Sequence, residues 1–105
     1  MPRYAILQSH PPDNCPLTNK AVREFAMSHL PRMDEYAAKH GITVVANDHL
    51  DPAHRALLVL DAPTAEAARD FVYDVGFMHF TTMEFFLVRP VAELIQAAGE
   101  METVY

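Results

Sequence analysis

The only cysteine of the chain, Cys15, lies in the proline-rich stretch SHPPDNCP. His10 stands at the end of the apolar segment that leads into this stretch, and His79 lies in GFMHF, just before another apolar segment. Two imidazoles and one thiolate form a ligand set that suits zinc, copper or nickel. His10, Cys15 and His79 are therefore the predicted metal ligands. The competing interpretation is that Cys15 is a small buried hydrophobe and that the histidines only cap strand ends.

His29 indicates a different chemistry, because it is expected on the apolar side of a helix. It comes four residues after Phe25 and four before Met33, a spacing that turns it toward the sheet. A histidine in that position can act as a general base or contact a bound substrate. The alternative is a core histidine that is hydrogen-bonded to one polar neighbour, for which Gln8 is the candidate.

Glu84 is the second candidate for proton transfer, because it interrupts the apolar segment TMEFFLV. Tyr4 is the candidate helper, and Phe77, in FVYDVGFMHF, offers an aromatic pocket wall. The predicted ligand-contacting residues are thus Tyr4, Gln8, His29 and Phe77. The sequence contains no glycine-rich phosphate loop, so no nucleotide cofactor is expected.

Apolar patterns and turn residues predict the elements that position these side chains. Four strands are predicted, at 3–9, 42–47, 55–62 and 81–89. A first helix is predicted from the N-cap Thr18 to Gly41, with a kink near Met27 caused by Pro31. A second helix runs from Thr64 to Gly76, and a short third one, at 91–98, is closed by Gly99.

The resulting order of strand, helix, strand, strand, helix, strand is that of a ferredoxin-like α+β domain with a four-stranded antiparallel sheet, order 4-1-3-2. We expect one domain over 1–105, with its core at about 3–95 and a short helix and tail at 91–105. In this topology the end of strand one and the start of strand four meet at one edge, which would bring His10, Cys15 and His79 together.

The strands are apolar on both faces, as YAIL, ALLVL and MEFFLV illustrate. One face must lie under the helices, and the other must also be covered. Half of the residues are hydrophobic, a high share for 105 residues, which also indicates that a second subunit covers part of them. The sequence therefore predicts a homodimer through the outer face of the sheet.

The chain resembles the dimeric α+β barrel superfamily, which includes muconolactone isomerases, antibiotic-biosynthesis monooxygenases and YCII-related proteins. The resemblance covers roughly 3–95 and rests on the element order, on VLDAPTAEAARDFV and on the closing strand MEFFLVRPV. The segment SHLPRMDEY resembles the first helix of YCII-related proteins, in which His29 is the matching residue. The resemblance implies a dimeric barrel with a site between the helices and one face of the sheet.

Charge and composition exclude several classes of function. With 8 basic against 14 acidic residues, the formal net charge is −6, which disfavours nucleic-acid binding. The first apolar run, 4–7, is far too short for a signal peptide or a membrane span. A single cysteine forms no internal disulfide, so a cytoplasmic protein is expected.

Two functions remain open from the sequence. The first is a small dimeric protein that binds a small apolar molecule or a soft metal ion near the loop between strand one and helix one. The second is a cofactor-independent isomerase or monooxygenase that acts on a small cyclic or aromatic metabolite, with His29 as base and Glu84 or Tyr4 as helper.

Overall fold

The computed structural model describes residues 1–105 and contains one four-stranded antiparallel sheet with the order β2-β3-β1-β4. This order confirms the ferredoxin-like topology predicted from the sequence. Both central strands pair with two neighbours, and every pairing is antiparallel. The strands are β1 (Arg3–Ser9), β2 (Thr43–Leu50), β3 (Arg55–Asp61) and β4 (Thr82–Val88).

Four helices accompany the sheet: α1 (Lys20–His29), α2 (Met33–His40), α3 (Ala65–Val75) and α4 (Val91–Glu100). The single kinked helix predicted between the first two strands is two helices. They are separated by a 3₁₀ turn at Leu30–Arg32 that contains Pro31. The break therefore lies at the proline itself and not near Met27, because the chain tightens where the proline nitrogen has no proton to donate.

Two glycines end helices as predicted. Gly41, after α2, has φ +69°, and Gly76, after α3, has φ +93°, both in the left-handed region that favours glycine. Gly99 was expected to close the last helix, but α4 continues through it to Glu100. No residue of α4 is buried, so this helix lies outside the core.

The core lies between the inner face of the sheet and helices α2 and α3. Ile6, Leu58 and Leu60 are fully buried on the strands, and they face Phe71 and Val72 of α3. Burial of a side chain of this size contributes about 1.5–3 kcal/mol. The inner face is thus held against the helices as the amphipathic pattern of α3 predicts.

The outer face of the sheet is apolar but carries no helix. The residues that alternate with the buried ones include Leu7 and Val59, which are half-buried, and Phe86, which is 48% exposed. Leu7 is the register partner of Leu57, and Ala5 pairs with both Val59 and Phe86. A continuous apolar surface therefore crosses the three strands β3, β1 and β4.

Strand β2 is longer than predicted and contains an irregularity. Val44 pairs with Leu60 and Ala46 pairs with Val59, so Val45 is an extra residue in the ladder. Beyond it, Asn47 lies opposite the buried Leu58. The extra residue therefore places Asn47, and His49 two residues later, on the inner side of the sheet.

Candidate functional site

Cys15 is buried at the end of the loop that follows β1, with 3% of its surface exposed. A 3₁₀ turn at Pro12–Asn14 precedes it, and its amide donates to the Pro12 carbonyl at 3.4 Å. Its own carbonyl accepts the amides of Thr18 and Asn19 at 3.0 and 2.8 Å. The backbone on both sides of the thiol is therefore fixed by hydrogen bonds.

The first turn of α1 holds this loop in place. The cap is Asn19, whose side chain accepts the Val22 amide at 3.0 Å and donates to the Asp13 carbonyl at 2.9 Å. Thr18 was the expected N-cap, but its hydroxyl instead donates a hydrogen bond to the Pro12 carbonyl in the loop. From the next turn, the guanidinium of Arg23 donates to the carbonyls of residues 16 and 17.

His10, Cys15 and His54 form a cluster in which one potential ligand atom from each residue lies within 4.8 Å of the other two. His10 follows the end of β1, and His54 directly precedes β3. The amide of His10 donates to the His54 carbonyl at 3.1 Å, and the two rings meet edge to face with centroids 5.4 Å apart. The antiparallel pairing of Ser9 with Arg55 continues by one residue and so joins the two histidines.

His54 occupies the left-handed backbone region with φ +55°, and it is the only non-glycine residue that does so. This conformation costs a residue with a Cβ atom about 1–2 kcal/mol. The cluster is thus built on a backbone position that would be most easily filled by glycine.

His79, the third ligand predicted from the sequence, lies elsewhere. It is exposed, and its ring packs against Phe25 of α1 with centroids 4.8 Å apart. The structure brings His10 and Cys15 together as the sequence indicates, but the third member of the cluster is His54.

His54 is not among the metal ligands predicted from the sequence. A signal for it was present in the predicted topology. In the sheet order 4-1-3-2, strands one and three are antiparallel neighbours, so the residue before strand three faces the residue after strand one.

The surroundings of His10 favour its neutral form. Burial, followed by the neighbouring His54 and His49 rings, lowers the pKa of His10 below its ordinary value of 6.5. The neutral imidazole is the form that binds a metal. The buried Nε2 atom of His10 has no hydrogen-bond partner within the protein.

A pocket of about 320 Å³ lies beside the cluster, between the Cys15 loop and the inner face of the sheet. Its polar wall comes from β1 and β2, and its apolar wall comes largely from Phe77 and Phe80. The full lining is Gln8, His10, Cys15, Pro16, Leu17, Leu30, Asn47, Asp48, His49, Ala56, Phe77, Phe80 and Thr81. Two of the three cluster residues therefore face the pocket.

Gln8 is the one buried polar side chain of the sheet, with 3% of its surface exposed. Its amide nitrogen has no hydrogen-bond partner within the protein. An unsatisfied buried donor costs about 1–3 kcal/mol, so a polar group of this kind in a native fold needs an explanation. Gln8 and Phe77, both predicted to contact a ligand, line this same pocket.

His29 is not hydrogen-bonded to Gln8, its expected polar neighbour. Its ring stacks on Phe25 with centroids 4.0 Å apart, and its Nδ1 lies 3.0 Å from the Phe25 carbonyl oxygen and 2.9 Å from the Ser28 hydroxyl. Its Cδ2 lies near Gly76, where an added Cβ would be 3.6 Å away. His29 is thus bonded within its own helix and packed on the end of α3.

Glu84 and Tyr4 lie apart from His29 and from each other. Glu84 is exposed and pairs with Leu7, whose side chain is on the outer face of the sheet. Tyr4 is half-buried on the inner face, and it lines a separate depression with Arg3 and Asp61. The three residues suggested for proton transfer therefore do not share a pocket.

The chain matches no protein-family model, and a search of curated proteins finds no match. None of its helices combines the length and the apolar composition needed to cross a membrane. The local geometry of the pocket and of the cluster beside it is therefore the basis for a functional assignment.

Proposed function

We propose that the protein binds a soft-to-borderline transition-metal ion, of the zinc, copper or nickel class, through His10, Cys15 and His54. The observation that carries this proposal is the approach of one ligand atom from each residue to within 4.8 Å of the other two. Ligands on one tetrahedral zinc are about 3.3–3.8 Å apart, given bonds of about 2.0–2.3 Å. Small side-chain rotations bring the three atoms to that separation.

The chemistry of the three groups supports this choice of metal. Thiolate and imidazole together favour zinc, copper and nickel over magnesium and calcium, which prefer oxygen. The lowered pKa of His10 favours the neutral imidazole that binds a metal, since burial and two neighbouring histidines disfavour its protonation. The unpartnered Nε2 of the same ring has no hydrogen bond to lose when a metal binds.

The loop around Cys15 supports binding in a second way. Its backbone is held by the amides of Thr18 and Asn19 and by the guanidinium of Arg23. A ligand already fixed by such contacts loses little conformational entropy when the ion arrives. The thiol is therefore presented in a defined position before binding.

We also propose that the protein is a homodimer of the dimeric α+β barrel type, in which the outer sheet faces of two copies pack together. This face carries Leu7, Leu57, Val59 and Phe86, which are too apolar to be favourably hydrated as one surface. No helix of the same chain covers it. A second copy offers an identical apolar face and can cover it by two-fold symmetry.

The experiment that tests metal binding is a zinc titration of the purified protein, with elemental analysis of protein never exposed to chelator. The wild type is expected to bind one zinc per chain. His54→Ala is expected to lower the affinity by at least about tenfold, because one of three ligands is lost. Cys15→Ser should do the same, because a hydroxyl is a much weaker zinc ligand than a thiolate.

The matched control is His79→Ala, which also removes a histidine but one that lies outside the cluster. Its zinc affinity should equal that of the wild type. Equal loss in His79→Ala and His54→Ala, or no zinc binding by the wild type, would contradict the proposal.

A further inference from the structure

The cluster supplies only three protein ligands, and the pocket lies on the side of His10 and Cys15. Sites with three protein ligands keep a position for water or an exogenous ligand, in contrast to closed four-ligand structural sites. A metal ion held here would therefore have a coordination position directed at the pocket.

Gln8 defines what kind of atom such a ligand presents. Its side chain lies in the pocket wall and is 97% buried, since its exposed fraction is 3%. Its Nε2 is a donor without a partner in the protein, so the missing partner is an acceptor oxygen. Gln8 precedes His10 by two residues, and both side chains line the same pocket, so the donor and the metal ligand face one cavity.

The charge of the site and the character of the walls define the rest of the ligand. A divalent ion with one thiolate carries a net charge of +1, which one carboxylate neutralises. Phe77 and Phe80 form an apolar wall of the pocket. Asp48 is the acidic residue of the lining, and because it is exposed, water screens its charge from the site. The volume of about 320 Å³ is at the lower end of ligand pockets and suits a single ring.

We propose, on the basis of the function proposed above, that the pocket binds a small aromatic monocarboxylate. One carboxylate oxygen occupies the open position of the metal and another accepts the hydrogen bond of Gln8. The ring packs against Phe77 and Phe80. In this arrangement the bound acid satisfies the buried amide nitrogen that the protein alone leaves without a partner.

The test uses the full chain loaded with Co²⁺, whose visible absorption changes when its coordination changes, and benzoate as the probe. Benzoate is expected to change the spectrum of the loaded wild type, whereas benzamide, a neutral molecule of the same shape, should leave it unchanged. Gln8→Leu should weaken benzoate binding by about tenfold or more and leave Co²⁺ affinity unchanged. Gln96→Leu, at an exposed glutamine of α4, is the matched control and should bind benzoate like the wild type.

Three results would overturn the inference while leaving metal binding intact. They are a loaded spectrum that benzoate does not change, equal benzoate affinity in Gln8→Leu and the wild type, and equally tight benzoate binding to metal-free protein. Failure of Co²⁺ and Zn²⁺ to bind at all would overturn the proposed function, and this inference with it. Gln8→Met, an apolar variant of similar length, replaces Gln8→Leu if the latter does not fold.

Discussion

The imidazole of His40, at the end of α2, donates a hydrogen bond of 2.6 Å to the carboxylate of Asp74, near the end of α3. The Lys39 ammonium lies 3.2 Å from the same carboxylate. These contacts join the C-terminal turns of the two helices that cover the sheet. The Lys39 ammonium also lies near the C-terminus of α2, where positive charge is favoured.

We expect Asp74→Asn to lower the free energy of unfolding at pH 7 by at most about 1 kcal/mol, because partly exposed ion pairs are weakened by water. The hydrogen bond from His40 is the main cause of the lowered pKa of Asp74, which lies below its ordinary value of 3.8. Because the pKa of Asp74 is lower in the folded state, its carboxylate stabilises the fold at pH values above that ordinary pKa. This contribution is lost as the pH falls through the pKa of the folded state.

Urea unfolding of the wild type and Asp74→Asn between pH 7 and pH 3 measures this effect. The difference between the two should shrink as the pH falls below about 4. Asp70→Asn, one turn earlier on α3 and exposed, serves as the control. A constant difference for Asp74→Asn across the whole pH range would show that the contact is not electrostatic.

His54→Gly is expected to abolish tight zinc binding without destabilising the metal-free protein. Glycine adopts a φ of +55° without strain, so the variant should keep the wild-type stability or gain up to about 1 kcal/mol. Thermal unfolding of chelator-treated protein gives the stability, and a zinc titration gives the affinity. A core histidine with no role in binding would behave differently, because its removal would lower the melting temperature and leave zinc binding as it was.

Val59→Asp is expected to convert a homodimer to a folded monomer. Val59 lies on the apolar outer face of the sheet and is half-buried within one chain, so the new charge remains hydrated in the monomer. In a dimer it would be buried without a partner, at a cost of several kcal/mol. Light scattering of the eluted protein, with circular dichroism, measures both properties.

Two further variants serve as controls for this prediction. Leu58→Asp, at the neighbouring residue with 0% exposure on the inner face, should prevent folding altogether. Met27→Asp, at a residue of α1 that is 70% exposed, should leave the oligomeric state unchanged. A wild type that is monomeric at micromolar concentration would exclude the proposed dimer.

The topology was predictable because its signals are local and agree with one another. Each strand is a short run of apolar residues bounded by proline or polar turns, and Gly41 and Gly76 end the helices on either side of the β2–β3 hairpin. Thr64 is the N-cap of α3, as expected, and accepts the Ala67 amide at 3.0 Å. Such short-range rules need no knowledge of tertiary contacts.

The position of the helix break and the identity of the first cap were less predictable. Thr18 and Asn19 are both good capping residues, and only the loop around Cys15 decides between them. The loop uses the Thr18 hydroxyl for the Pro12 carbonyl and leaves the cap to Asn19. Tertiary structure here selects between two local solutions of similar energy.

The candidate site could be predicted only in part, because its residues come from two distant segments of the chain. His10 and Cys15 belong to one continuous segment, so their proximity follows from the loop that joins them. His54 is 39 positions further along the chain than Cys15, and its place depends on the register of β1 with β3. The predicted sheet order indicates that the two strand ends meet, but the packing of the whole inner face fixes the register that sets His54 directly opposite His10.

Val45 determines which side of the sheet each residue in the second half of β2 faces. Because side chains alternate along a strand, a regular ladder in which Val45 paired with Val59 would exchange the two sides for every position that follows it. Asn47 and His49 would leave the pocket wall, and Asp48 and Leu50 would point inward beneath the Cys15 loop. The polar character of that wall thus depends on Val45 being left out of the ladder as well as on the kind of residues that follow it.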